Sequence, residues 1–337
     1  MSNLKLRGNW RWWLAAGVVL ALAALFVRGC IWRPGTQQPG AYFNRGQNAA
    51  WVSVDWSKDA HTPEEIGALA AEMGRHQVRT LFVYVSYLKP GGYFNLTYAH
   101  AAEFVRAYKA AQPGAVIEAW IGIPLDKPTI STPGYVRIDD PTVRRMIAGF
   151  CRQLVTEMGF DGVHLDPEPI PSGDEDTLLL LDEVRAAIGP GKLLSLAARE
   201  VIPFWNDAPL PPALGLWQAG YYRRIAGRVD EIAAMTYDST MPTSWLYEHW
   251  LHFQVVGITR AVQDAPVRLL FGVPTSEEET WTHRPRAENM RSGLRGIING
   301  LNDADAATES VTGVAIYPHW ETNAAEWAEY DKLWLGK

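Results

Sequence analysis

The sequence predicts a (β/α)8 TIM barrel behind an N-terminal transmembrane or signal-anchor helix. Three observations point to it. After residue 50, short β-rich runs alternate with helical patterns eight times. Most of these runs are near-continuously apolar, as expected of parallel strands covered on their outer face. No glycine-rich phosphate turn follows the first run, which disfavours an open doubly wound sheet. Of 337 residues, 47% are hydrophobic, which excludes collagen-like and wholly disordered classes. Two cysteines cannot build a disulfide framework or a cysteine zinc cluster. A net charge of −6 argues against nucleic acid as the main partner.

The elements follow in order. Residues 1–33 carry Lys5, Arg7, Arg11, Arg28 and Arg33 and no acid. Between Arg11 and Arg28 lies an unbroken apolar run, Trp12 to Val27, flanked by Trp10 and Trp32 at interfacial positions. The leading reading is a single-pass anchor with its N-terminus inside, which places the rest of the chain outside the cytoplasm, in the periplasm or at the cell surface. A cleaved signal peptide lacks a small-x-small site. Lipid attachment at Cys30 is the third reading, although Arg28 departs from a lipobox. Residues 34–48, rich in Pro, Gly, Gln and Asn, are expected to be a tether, leaving 49–337 as one barrel domain. Expected strands are Val52–Asp55, Arg79–Val85, Val116–Ile121, Gly162–Asp166, Leu193–Ala197, Glu231–Thr236, Arg268–Gly272 and Gly313–Tyr317. Thr62-Pro63-Glu64-Glu65 is a capping box with proline in the first turn; Asp140-Pro141 opens another helix and Arg284-Pro285 a third. The remaining helices are expected over Tyr98–Ala111, Asp174–Ile188, Pro212–Gly227, Ser244–Val262 and Ala324–Leu335.

In such a barrel the chemistry sits at the C-terminal strand ends. The fourth strand ends Asp161-Gly162-Val163-His164-Leu165-Asp166-Pro167-Glu168-Pro169. Side chains alternate, so His164, Asp166 and Glu168 share one face and Val163 and Leu165 the other. With the apolar pair against the helices, the polar three face the barrel mouth. Two carboxylates one pleat repeat apart disfavour joint ionisation, which raises the pKa of at least one, as a general acid requires. The sixth strand ends Met235-Thr236-Tyr237-Asp238, adding a phenol and a carboxylate to that rim.

These residues resemble the family 18 glycoside hydrolases, the chitinase family. Asp161, Gly162, Asp166 and Glu168 match its fourth-strand signature Asp-Gly-x-Asp-x-Asp-x-Glu; Met235, Tyr237 and Asp238 match its sixth-strand Met-x-Tyr-Asp. Leu269-Leu270-Phe271-Gly272-Val273-Pro274 is similar to the family's seventh strand. The resemblance implies that Glu168 protonates the glycosidic oxygen and then activates water. It implies a substrate acetamide as nucleophile, oriented by Asp166 and hydrogen-bonded by Tyr237 and Asp238. His164 stands where the family has an aspartate, and a histidine there can still hydrogen-bond Asp166. Pro167 replaces an aromatic, Ala119-Trp120-Ile121-Gly122 replaces the third-strand Ser-x-Gly-Gly, and Tyr317 stands for the floor tryptophan, with Trp320 nearby.

Fifteen tryptophans is an unusual number. Trp10, Trp12, Trp13 and Trp32 belong to the anchor. Trp56, Trp120, Trp205, Trp245, Trp281 and Trp320 fall at or beyond strand ends, where flat faces stack on sugar rings. Trp217, Trp250, Trp327 and Trp334 are packing residues on helices, and Trp51 opens the first strand. Together with His164, Met235 and Tyr317, the rim tryptophans form the expected substrate-binding set. Asp55, Glu118 and Glu200 read as satisfied lumen or loop carboxylates. His164 and His319 are the histidines expected near the site, while His249 and His252 read as a packed or solvated helix face despite metal-compatible spacing. No cofactor and no metal is expected, and the oligomeric state is left open. The resulting expectation is a membrane-tethered glycoside hydrolase acting on an N-acetylglucosamine-containing polysaccharide. The alternatives are a carbohydrate-binding barrel without activity, and a hydrolase pairing Glu168 with Asp238 or Glu200 as its second carboxylate.

Overall fold

The computed structural model of the protein describes residues 17–18, 37–126, 136–202 and 215–337. Eight parallel strands form a closed barrel: β1 (Asn48–Val52), β2 (Val78–Lys89), β3 (Val116–Pro124), β4 (Gly162–Glu168), β5 (Leu193–Ala198), β6 (Glu231–Ala234), β7 (Arg268–Pro274) and β8 (Val311–Tyr317). Each pairs with its neighbours in chain order, and β1 closes the ring against both β2 and β8. A short strand, Tyr93–Phe94, folds back antiparallel on the end of β2. Outside run α1 (Pro63–Arg75), α2 (Ala101–Ala111), α3 (Pro141–Glu157), α4 (Glu175–Ile188), α5 (Ala219–Ala226), α6 (Ser244–Val262), α7 (Met290–Leu301) and α8 (Ala324–Tyr330), the last continuing as a π turn over Asp331–Leu335.

Local chemistry explains the helix starts. Thr62 and Glu65 complete the reciprocal capping box of α1. Asp140 and Asp174 accept from backbone N–H groups at the starts of α3 and α4. The helix expected at Arg284-Pro285 begins later, at Met290, because the reciprocal cap is made by Asn289 and Ser292. The expected helix over Pro212–Gly227 is found from Ala219, and that over Tyr98–Ala111 from Ala101.

Strand alternation sorts the side chains into two clusters. Ala50, Val52, Val163 and Leu165 point outward into the layer between barrel and helices. Ala49, Trp51, Phe82, Trp120, Ala233, Tyr237, Leu270 and Ala315 point inward and fill the lumen. The first strand lies four residues earlier than expected, so Trp51 is inside it and faces the lumen rather than opening it.

The expected tether is packed against the barrel from Gln38 onward. Asn302 accepts from the Gln38 N–H at 2.6 Å and donates to its carbonyl at 2.8 Å, and Phe43 of the one-turn helix Gly40–Phe43 enters the core. The expected membrane segment, with Trp10, Trp12, Trp13, Trp32 and Cys30, lies outside the described residues apart from the helical pair Gly17 and Val18. Among the described residues no helix is long and apolar enough to cross a membrane.

Candidate active site

At the C-terminal end of the barrel, Trp51, Trp120, Asp166, Glu168, Arg199, Met235, Tyr237, Asp238 and Tyr317 line a cavity of about 90 Å³. The last residues of β4 deliver the two acids. The Asp166 Oδ2 accepts a hydrogen bond from the Trp120 indole on β3 at 2.9 Å, whereas its Oδ1 is buried without a hydrogen-bond partner among the described residues. Burial, and then the charge of Glu168, pushes the Asp166 carboxyl up to about 8, against the pull of Trp120 and Arg199. Glu168 keeps 45% of its side-chain surface accessible and lies 3.7 Å from the Arg199 guanidinium. Desolvation by the surrounding protein still raises its carboxyl, and Asp238 adds to this, while Arg199 works in the opposite direction. A proton shared within this pair is therefore held nearer neutrality than on an ordinary carboxylate.

Aromatic rings wall the cavity. Tyr237 and Tyr317 stack with centroids 4.8 Å apart and planes 6° from parallel, and Trp51 meets both edge-on. Gly272 on β7 makes this arrangement possible: a Cβ there would lie 2.7 Å from a Tyr237 ring carbon. Burial raises the Tyr237 phenol far above its ordinary range, so it stays a neutral donor.

A second groove of about 410 Å³ shares Tyr237, Asp238 and Tyr317 with the first and runs out to Thr280, Trp281 and His283. Behind its Asp238 wall lies a buried support. Asp238 has a left-handed backbone, φ 58°, which an aspartate tolerates better than most residues. Its N–H donates to Glu288 at 2.7 Å, and Ser239 donates to the same carboxylate through its N–H at 3.0 Å and its hydroxyl at 2.6 Å.

His164 occupies a different place from the one expected. It lies one pleat repeat below Asp166, fully buried, with its ring stacked on Phe82. The Trp51 indole donates to its Nε2 at 3.0 Å, so the proton sits on Nδ1 and is donated to Ser195 Oγ at 2.7 Å; Ser195 then donates to Glu118 at 2.6 Å. Burial drops the imidazole to about 3, which keeps it neutral. Its hydrogen bonds thus run away from Asp166, and Trp51 separates it from the cavity.

The expected rim residues divide. Trp120, Met235 and Tyr317 line the inner cavity, Trp281 lines the outer groove at 81% exposure, and Trp320 stands edge-on to Tyr317 at 6.1 Å. Trp56 lies away from the mouth, stacked on His61 and packed against Phe104 in the helix layer. Trp245 begins α6, where its exposed ring lies over His249 instead of the cavity. Trp205 lies outside the described residues. His319 pairs with Glu72 of α1 at 2.8 Å, and His252 with Asp303 at 2.7 Å, both in the helix layer. Glu118 is a lumen carboxylate, and Asp55 starts a one-turn helix, Asp55–Lys58, at the surface. Glu200 is buried beside Arg199, and burial raises it to about 7.

Sequence reasoning passed over Trp51, Arg199, His283 and Glu288. Arg199 carried a usable signal, standing directly after the fifth strand beside Glu200. His283 and Glu288 lie in an irregular stretch between β7 and α7, where no periodicity assigns a face.

No protein-family model matches the sequence, and no curated protein sequence matches it. Solved structures do match. A plant class V chitinase mutant from Cycas revoluta, in complex with (GlcNAc)3, superposes with TM-score 0.57 at 15% identity, over 86% of this chain and 99% of its own. The fold is that of the family 18 chitinase barrel. A glycoside hydrolase family 18 N-acetylglucosaminidase from Paenibacillus barengoltzii matches with TM-score 0.53 and 14% identity over 86% and 99% of the two chains. The spore cortex-lytic enzyme SleL of Bacillus cereus matches with TM-score 0.55 and 12% identity over 85% of this chain and 74% of that one. The chitinase-like barrel is thus shared at low identity, with Asp166 and Glu168 at the end of its fourth strand.

Proposed function

We propose that this chain is a glycoside hydrolase that cleaves an N-acetylglucosamine-containing polysaccharide outside the cytoplasm, tethered to a membrane by its first 33 residues. The observation that carries the reading is the Asp166–Glu168 pair, with raised pKa values, in an aromatic cavity at the barrel mouth. The chitinase-like fold and the saccharide named in the Cycas complex agree with it. The basic, acid-free flank of Trp12–Val27 supports the tether and its orientation.

In this reading Glu168 gives its proton to the glycosidic oxygen as the bond from that oxygen to the anomeric carbon breaks. The carbonyl oxygen of the substrate's own 2-acetamido group forms the new bond to that carbon, giving a cyclic cation. Asp166, oriented by Trp120, accepts from the acetamide N–H through its unpartnered oxygen and stabilises the positive charge. Tyr237 and Asp238 hydrogen-bond the same group. Glu168 then takes a proton from water as it attacks the anomeric carbon and restores the acetamide, with net retention. Met235, Tyr317, Trp281 and Trp320 contact sugar rings.

A second reading, glycan binding without cleavage, is favoured by the Arg199 guanidinium beside Glu168, a neighbour that draws the acid toward its charged form. One experiment separates the two. The wild type and Glu168→Gln are incubated with chitin oligomers and peptidoglycan fragments, following products and binding together. Hydrolysis by the wild type, with binding but no hydrolysis by the variant, is expected. Binding with no hydrolysis by either protein would establish the second reading.

A further inference from the structure

We propose that Asp238, His283 and Glu288 form a binding site for one divalent metal ion of the zinc class. The inference shares Asp238 with the hydrolase reading but does not depend on it, because it rests on the surroundings of a single imidazole nitrogen. His283 is buried, and its Nε2–H donates to the Ser276 carbonyl at 3.0 Å. That contact fixes the ring and leaves Nδ1 as its working atom, the arrangement that typically orients a metal-bound histidine. Nδ1 is buried and makes no hydrogen bond of acceptable geometry among the described residues, although two carboxylate oxygens lie close. Asp238 Oδ1 and Glu288 Oε2 are each 3.3 Å from it. A neutral hydrogen bond to one of them would be shorter and aligned. The edge of a tetrahedron with metal–ligand bonds of about 2.0–2.1 Å is about 3.3 Å.

The remaining pieces agree. One ligand atom from each of the three residues lies within 4.8 Å of the others. Glu288 has no exposed surface, and Ser239 and the Asp238 N–H hold its carboxylate in place. Asp238 is half-exposed and able to close onto an ion. It borders the outer groove, so water or a ligand can complete the coordination. Two carboxylates and one neutral imidazole balance a double positive charge. The imidazole selects against magnesium and calcium, which take all-oxygen sets. A proton on Nδ1 is the competitor, and the ion displaces it to solvent on binding.

The test uses the full chain, stripped with a chelator and dialysed against zinc chloride, with bound metal counted by mass spectrometry and thermal melts recorded in parallel. The expected result is about one zinc ion per chain and a higher Tm with zinc than without. His283→Gln should bind at least about 100-fold more weakly and lose the zinc-dependent rise in Tm. Asp238→Asn, at a half-exposed position, should fold normally and weaken binding about 10-fold or more. The metal-free melt of each variant separates lost binding from lost fold. The proposal is overturned by a wild type that retains no more zinc than His283→Gln, which would make His283 a buried imidazolium only. It is overturned equally if calcium or magnesium at equal concentration displaces the zinc.

Discussion

The barrel holds a pair of carboxylates at its mouth and another in its lumen, and the two pairs share the same electrostatics. In the lumen, Glu118 and Glu231 have essentially no exposed surface; burial raises both, Glu231 to about 7, and Glu231 repels Glu118. At the mouth, burial raises Asp166 to about 8, and Glu168 repels it. Each pair even has an arginine, Arg268 below and Arg199 above. The difference is access. Glu118 is fully buried and joined to the cavity wall by the hydrogen-bonded relay of Ser195, His164 and Trp51, whereas Asp166 and Glu168 line a cavity between stacked aromatic rings. A raised carboxyl pKa therefore marks burial; it becomes chemistry only where a substrate reaches the group.

The comparison can be broken most severely at Asp166. Asp166→Asn should lower kcat on a cleavable glycan about 10²–10³-fold with little change in Tm, measured by product release and a thermal melt. It should also change the pH profile. The acid form must be protonated to act, so wild-type activity should fall as rising pH removes the proton held by the pair, in which both carboxyls are raised by burial. Removing one of the two negative charges lets the other carboxyl ionise earlier, so the variant's basic limb should move to lower pH. Trp120→Phe keeps an aromatic ring, though a smaller one, and deletes the donor to Asp166, and should cost about 10-fold in kcat, with KM changed less. Gly272→Ala should have a smaller effect, about 3–10-fold, because the added methyl pushes Tyr237 off its stack with Tyr317.

The lumen should show its effect in stability alone. Glu118 is raised on folding, so the native state binds a proton that the unfolded chain has released. Its contribution is intact below about 4.5, the ordinary glutamate value, and wanes as pH rises above it. Glu118→Gln should therefore gain Tm relative to wild type as pH rises from 4 to 8, with turnover unchanged within about twofold. Melting curves across that range check the sign.

How much of this was legible in the sequence follows from the same contrast. The barrel was readable because its strands are short apolar runs and its helices begin with explicit caps, as at Thr62, Asp140 and Asp174. The placement of Asp166 and Glu168 at the mouth followed from strict alternation along β4. Alternation gives the face and not the depth, which is why His164 was expected beside Asp166 and is found below it, behind Trp51. A four-residue error in β1 hid Trp51 itself. Arg199, His283 and Glu288 lie where the chain has no period, and only the fold brings them to the cavity wall. The rim tryptophans show the same limit: Trp56 and Trp245 follow strand ends in sequence, yet their local helices turn them elsewhere.

The central claim is that the acid at the mouth, and not the one in the lumen, performs hydrolysis. The most direct test compares product release by Glu168→Gln and Glu118→Gln from one chitin oligomer that the wild type cleaves. Loss of turnover by about 10³-fold or more in Glu168→Gln alone, both variants folded, is the predicted result. Wild-type turnover in Glu168→Gln, or an equal loss in Glu118→Gln, would contradict it.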